Sequence, residues 1–201
     1  MGVAPSRPGQ QHASRIHRSP PPSSARHSVP SPLPTIDAAE IRTATTDDIA
    51  DLVAIEERCF SADKISRRQF RYLLTKARAV TLLFQDSGRM EGYATIFLNA
   101  KASLARVYSI AVLPDRRGKG IARRLALAGE SLARAKGITR IRLEIRSDNT
   151  PSIALFRSLG YRPIKELKAY YEDGADGWRY EKNLSAADVG WRRASTHSGT
   201  P

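Results

Sequence analysis

The chain of 201 residues has little of what most often carries enzyme chemistry. It has one cysteine, Cys59, so it holds no internal disulfide framework and fits a reducing compartment. Cys59 itself reads as a small buried apolar residue. The four histidines, His12, His17, His27 and His197, lie near the two ends, and none falls between residues 38 and 184. That gap excludes a Ser-His-Asp hydrolase and removes the commonest zinc ligand, so no metal is expected. No apolar run approaches the ~20 residues that cross a bilayer. The start of the chain also lacks the apolar core of a secretory signal, and Pro20, Pro21 and Pro22 would break an amphipathic transit helix. A soluble, cytoplasmic protein with no membrane partner is expected. Acids are scarce beside bases, and the formal net charge is +13. Of that balance, 27 Lys/Arg against 18 Asp/Glu lie between Ala38 and Leu184. Such a charge attracts polyanions, phosphorylated cofactors included. The aromatic residues do not interleave with the basic ones, so the charge reads as a solvated basic face and no nucleic-acid partner is expected.

What is present divides the chain in three. Residues 1–37 are rich in Pro, Ser, Arg and His and cannot bury enough apolar surface to offset their chain entropy. Residues 185–201 are similar, with Trp191 as a lone aromatic. Both read as flexible tails around one domain, residues 38–184. Within it, Ile41 to Ala44 reads as a short strand, and Thr46 with Asp47 and Asp48 starts a helix through about Arg58. Ser66 to Ala77 reads as a second helix. Ala79–Gln85 and Met90–Leu98 form a hairpin about Ser87 and Gly88. Arg106 to Leu113 is a strand ended by Pro114, and Gly120 to Ala135 a helix stopped by Gly137. Arg140 to Arg146 alternates Ile141, Leu143 and Ile145 on one face. Thr150 caps a helix from Pro151 to about Gly160, and Tyr161–Lys168 and Trp178–Leu184 close the domain as strands. The order β-α-α-β-β-β-α-β-α-β-β predicts an α+β fold, an α/β sandwich with a mixed sheet.

The stretch Val107 to Leu125, VYSIAVLPDRRGKGIARRL, runs from a strand through a turn of Arg and Gly into a helix. Gly118 and Gly120 let backbone N–H groups approach an anion, the helix start adds free donors, and Arg116, Arg117, Lys119 and Arg123 add charge. This is a phosphate or pyrophosphate site. It is neither a Walker loop nor the Gly-x-Gly-x-x-Gly dinucleotide fingerprint.

Arg117-Gly118-Lys119-Gly120-Ile121-Ala122 resembles the Gln/Arg-x-x-Gly-x-Gly/Ala motif of the GNAT superfamily of N-acetyltransferases. The resemblance covers about Glu40 to Leu184. Leu143-Glu144-Ile145-Arg146, Asn149, Ala154-Leu155-Phe156 and Leu159-Gly160-Tyr161 are similar to the bacterial ribosomal-protein-alanine type. Tyr170 to Asp176 resembles the substrate-side tyrosine loop of those enzymes. The resemblance implies a mostly antiparallel mixed sheet flanked by helices, and acetyl-CoA as co-substrate. It implies that the backbone of Ile110, Ala111 and Val112 holds the pantetheine arm as an added strand. Arg117, Gly118, Lys119, Gly120, Ile121, Ala122 and Arg123 would bind the pyrophosphate, and Asn149 would contact the CoA moiety. A strand bulge near Ala111 or Val112 would offer an N–H to the thioester carbonyl. Glu144 falls at the position of the general base. The family's usual tyrosine acid is replaced by Phe156, which has no hydroxyl, and Tyr171 is the expected substitute ahead of Tyr161.

The implied reaction is acetyl transfer to a primary amine, with a protein N-terminus as the preferred acceptor. An α-amine with a pKa near 8 loses its proton more easily than a lysine near 10.4. The alternatives are an amino sugar, polyamine or amino acid as acceptor, or a non-catalytic acyl-CoA-binding module tethered to ribosome or RNA. Glu172, Asp173 and Asp176 read either as an attractor for a cationic amine or as a solvated loop. Glu56 and Glu57 read as an exposed helix face, with lining of the acceptor groove as the other reading.

Overall fold

A computed structural model of the protein describes residues 41–60 and 64–185. The two expected tails, including Trp191 and all four histidines, lie outside the described residues, apart from Ser185.

The elements follow the expected order. Strand β1 is Ile41–Thr43, followed by a 3-10 turn, Thr46–Asp48, and helices α1, Ile49–Cys59, and α2, Arg67–Thr75. Strands β2, Ala79–Asp86, and β3, Arg89–Asn99, form a hairpin. Its turn residues Ser87 and Gly88 both have positive φ, 49° and 76°, which matches the twist of paired strands. Strand β4, Leu104–Val112, leads to α3, Ile121–Ala135; then come β5, Arg140–Arg146, α4, Thr150–Ser158, β6, Arg162–Leu167, and β7, Gly177–Asn183.

Two caps differ from expectation. Thr45, not Thr46, starts the first helical turn, in a capping box with Asp48. Asn149, not Thr150, caps α4, its side chain accepting from Ser152 N at 3.2 Å. In both cases a residue with a side-chain oxygen lies one position earlier, because the helical turn begins sooner than the apolar pattern suggests.

The seven strands form one sheet in the order β1-β2-β3-β4-β5-β7-β6. Every pairing is antiparallel except β4 with β5, which are joined through α3. That parallel pairing holds only Leu104–Arg106 against Arg140–Arg142. Beyond it the strands part, and among the described residues no strand lies beside the edge of β4 from Val107 to Val112 that faces away from β3. Among the irregularities of the sheet is a bulge at Tyr108, where Ile96 pairs with Val107 and Thr95 with Ser109. It lies three or four residues earlier than the expected bulge near Ala111 or Val112. The extra residue puts Tyr108 edge-on against Phe97, centroids 5.0 Å apart, while Ser109 reaches Tyr93 on the same face.

The sheet faces bury two cores. On one, α3 and α4 cover Leu82, Ile96, Val107, Ile141, Leu143 and Ile145. On the other, α1 and α2 cover Leu83, Tyr93, Tyr108 and Ala111. Gly129 lets α3 lie close on Ile96; an added Cβ would stand 3.2 Å from its Cδ1.

Candidate active site

The end of β4, the loop after it, the starts of α3 and α4 and the end of α1 line a cavity of about 320 Å³. Its walls include Ile110, Ala111, Val112, Arg117, Gly118, Gly120, Ile121, Ala122 and Arg123, nine of the residues expected to hold the cofactor. Lys119 is exposed on the same loop but is not part of the wall. Asn149 also lies off it, since its oxygen is occupied in capping α4, which leaves its two Nδ2 donors.

The loop is built for an anion. Gly118 and Gly120 have φ of +78° and +77°, and a Cβ at either would meet nothing within 4 Å. Left-handed backbone is costly for other residues, and the open space beyond is where a phosphate can approach the N–H groups of the first turn of α3. Gly120 stands at the N-cap of that helix. Arg117 and Arg123 are exposed there. Arg116 is spent elsewhere: its Nε pairs with the buried Glu91 at 3.0 Å and pins the loop to β3.

Several wall residues were not expected at the site: Cys59, Phe60, Pro151, Ser152 and Leu155. Gly92 is a further determinant, since a Cβ there would fall 2.7 Å from Ala111 O and 3.3 Å from Ile121 Cγ2. A side chain at Gly92 would therefore displace both the end of β4 and the start of α3. Cys59 donates to Val112 O at 3.3 Å, and burial pushes its thiol pKa up, which suits packing rather than nucleophilic work. Phe156 is fully buried, lines the cavity and packs edge-on against Tyr161 at 5.1 Å.

Glu144 lies off the cavity wall, on the opposite face of β5 from Leu143 and Ile145. It is 1% exposed, with Oε2 accepting from Arg106 Nε and Oε1 from Arg179 Nε, each at 2.8 Å. Tyr171 is its neighbour on the same face. Gly177 makes room for that ring, since a Cβ there would come within 2.9 Å of Tyr171 Cε2, and Arg146 sits 5.0 Å over it. Burial first, then Tyr170 and the Glu144 carboxylate, push the Tyr171 hydroxyl well above its ordinary pKa. Tyr161 is likewise pushed up, by burial and then by Glu130. Both hydroxyls therefore hold their protons at neutral pH and release them reluctantly.

The other acids have definite places. Glu57 is exposed and pairs with Lys64. Glu56 is not part of an exposed helix face: it is wholly buried, accepting from Tyr93 OH and Ile65 N, because α1 turns that position onto the sheet. In the β6–β7 loop, Asp173 is gripped by Arg146 Nη1 at 2.9 Å to both oxygens, and Asp176 by Lys168 at 2.9 Å. Those two charges are satisfied within the loop. Among the described residues, no group of three or more His, Cys, Asp or Glu side chains could hold a metal ion.

The sequence pattern of the acetyltransferase (GNAT) family matches residues 48–161. The chain belongs to that family. With it comes membership of a class of acyltransferase enzymes. A candidate ribosomal protein bS18-alanine N-acetyltransferase of Bacillus subtilis is 27% identical over 138 residues, 69% of this chain and 90% of that protein. A mycothiol acetyltransferase of Clavibacter michiganensis is 32% identical over 126 residues, 59% of this chain but 40% of that protein. The chain thus spans well under half of this longer relative. Among solved structures, the ribosomal-protein-S18-alanine N-acetyltransferase of Escherichia coli superposes with a TM-score of 0.66 at 27% identity, covering 73% of this chain and 94% of that one. Arabidopsis thaliana NAA60, solved with acetyl-CoA, shares the fold at a TM-score of 0.64 and 18% identity.

Proposed function

We propose that the protein transfers the acetyl group of acetyl-CoA to a primary amine, preferably the α-amine of a protein N-terminus. The observation that carries this reading is the parted β4 edge running directly into the Gly118–Gly120 loop at the start of α3. Backbone groups of Ile110 to Val112 are available there as a strand edge, and the loop N–H groups with Arg117, Lys119 and Arg123 receive a pyrophosphate. Bound acetyl-CoA supplies an activated thioester. Glu144 is the base that accepts the amine proton, through water, and Tyr171, on the same sheet face, is the candidate to return a proton, a role that its burial opposes. The N-terminal preference is supported by the likeness to the ribosomal-protein-alanine enzymes.

A small-molecule amine is the second reading, favoured by the mycothiol acetyltransferase relatives. Incubation with acetyl-CoA and a mixed panel of N-terminal peptides, amino sugars and polyamines, followed by mass spectrometry, tests the choice. Acetylated peptides with untouched small amines support the first reading. Acetylated small amines with untouched peptides overturn it.

A further inference from the structure

The sheet face that carries Glu144 has a charge of its own. Along β5, Ile141, Leu143 and Ile145 are buried in the core, and Arg140, Arg142 and Glu144 alternate onto the other side. Strand β7 repeats the pattern, with Tyr180 in the core and Arg179 and Glu181 opposite. A strand with one apolar and one charged face presents the charged one to solvent. Helices α1 and α2, which cover this side of the sheet elsewhere, pack on β2, β3 and β4.

With Arg106 of β4, four guanidiniums share this face with two carboxylates. Glu144 is held by Arg106 and Arg179, and Glu181 by Arg142 at 2.5 Å and Arg140 at 4.0 Å. Glu144 thus orders two guanidiniums and Glu181 one, with Arg140 beyond hydrogen-bond reach and donating to Ala102 O, so two carboxylates stand against four cations. Two acids of the adjoining loop, Asp173 and Asp176, are engaged by Arg146 and Lys168, which leaves Glu172 as the third acid beside this face.

We infer that this face selects the acceptor: it holds an acidic stretch of polypeptide immediately behind the amine. The inference rests on the N-terminal reading above. Its occupant follows from continuity, since Glu144 lies at the end of the face where β4 and β5 part. A chain whose amine reaches Glu144 and that follows this face runs over Arg142 and Arg140. Alternate strand residues are about 7 Å apart, so an extended acceptor aligns side chains within roughly its first four residues with these arginines. Carboxylates there gain charge-assisted hydrogen bonds, whereas lysine or arginine meets like charge.

The test is a set of peptides with N-terminal alanine followed by acidic, neutral or basic residues, assayed for kcat and KM at low and high salt. The acidic peptides should exceed the basic ones by roughly tenfold in kcat/KM, mainly through KM, and high salt should erase the difference. The double variant Arg140→Glu, Arg142→Glu should reverse the order, with unchanged acetyl-CoA affinity showing that the domain is folded. Equal turnover of all three sets overturns the inference and leaves N-terminal acetylation standing. Anisotropy with N-terminally blocked fluorescent peptides reads the face without turnover. Salt-sensitive binding of the acidic peptide alone supports the face even if no peptide is acetylated, an outcome that overturns only the acetylation reading. Binding of single-stranded RNA in preference to acidic peptides overturns the inference.

Discussion

Substitution of Gly120 separates the strain of the anion loop from its function. Its φ of +77° costs an ordinary L-residue roughly 1–2 kcal/mol. A Cβ there meets nothing within 4 Å, so strain is the whole penalty in the unliganded protein. Gly120→Ala should lower Tm by roughly 2–8 °C, and Gly120→Asn by less, since asparagine tolerates this conformation. Gly120→Glu should cost no more fold stability than alanine by more than about 1 kcal/mol. Its effect on acetyl-CoA should be far larger. A carboxylate about 5 Å from a phosphate, at an effective dielectric near 20, adds about 3 kcal/mol of repulsion, close to a hundredfold in affinity. Titration calorimetry with acetyl-CoA and thermal scanning of all three variants give the two readouts. A glutamate variant that binds acetyl-CoA within about threefold of the parent would refute the pyrophosphate site, whatever its Tm.

Glu144→Gln should reduce kcat/KM by at least about tenfold, with less loss at high pH where more of the amine is neutral, and leave acetyl-CoA affinity unchanged. Turnover equal to the parent across the pH range would move the base elsewhere, with Glu56 next in line. Phe156→Tyr puts a hydroxyl on a ring that lines the cavity and should raise kcat, read by the rate of free thiol release; a kcat at or below the parent's would mean that thiolate protonation does not limit turnover. Hydrogen bonds from Arg42 hold the Asp48 carboxyl below its usual range, so its stabilisation is present above the unfolded value near 3.9 and is lost as pH falls through the folded one. Thermal scans should therefore show Tm falling below about pH 4, with a shallower fall in Asp48→Asn. A chain cut to residues 37–184 should keep its kcat/KM on a short peptide, and a loss beyond about tenfold would mean that a terminal segment reaches the active site.

Much of this was legible in the sequence, because it is local. The alternation of Ile141, Leu143 and Ile145 marks β5 and its buried face. Gly118 and Gly120 between a strand and a helix mark an anion loop, and both have the positive φ that only local chemistry sets. What escaped depends on which strands are neighbours. No periodicity reveals that β7 inserts between β5 and β6, so nothing in the sequence brings Arg179 to Glu144. The role of Gly92 is hidden for the same reason: it is explained only by Ala111 and Ile121, from a different strand and a helix. Glu56 was misjudged because a carboxylate beside Glu57 and Arg58 suggests solvent, whereas the sheet supplies Tyr93 as its partner.

The same dependence on strand order bears on the chemistry. The proposed cofactor site needs β4 to have a free edge at Ile110 to Val112, and β5 does leave β4 after Arg142. Once β5 departs, Glu144 loses the strand that would have flanked it on that side, and Arg106 of β4 reaches across to its carboxylate while β7 supplies Arg179 from the other side. Both oxygens of Glu144 are therefore engaged by guanidinium hydrogen bonds before any acceptor arrives. On the proposed mechanism, an acidic acceptor residue that draws Arg106 or Arg179 towards itself loosens the grip on Glu144. Acceptor binding and the availability of the base are then coupled through the same two arginines.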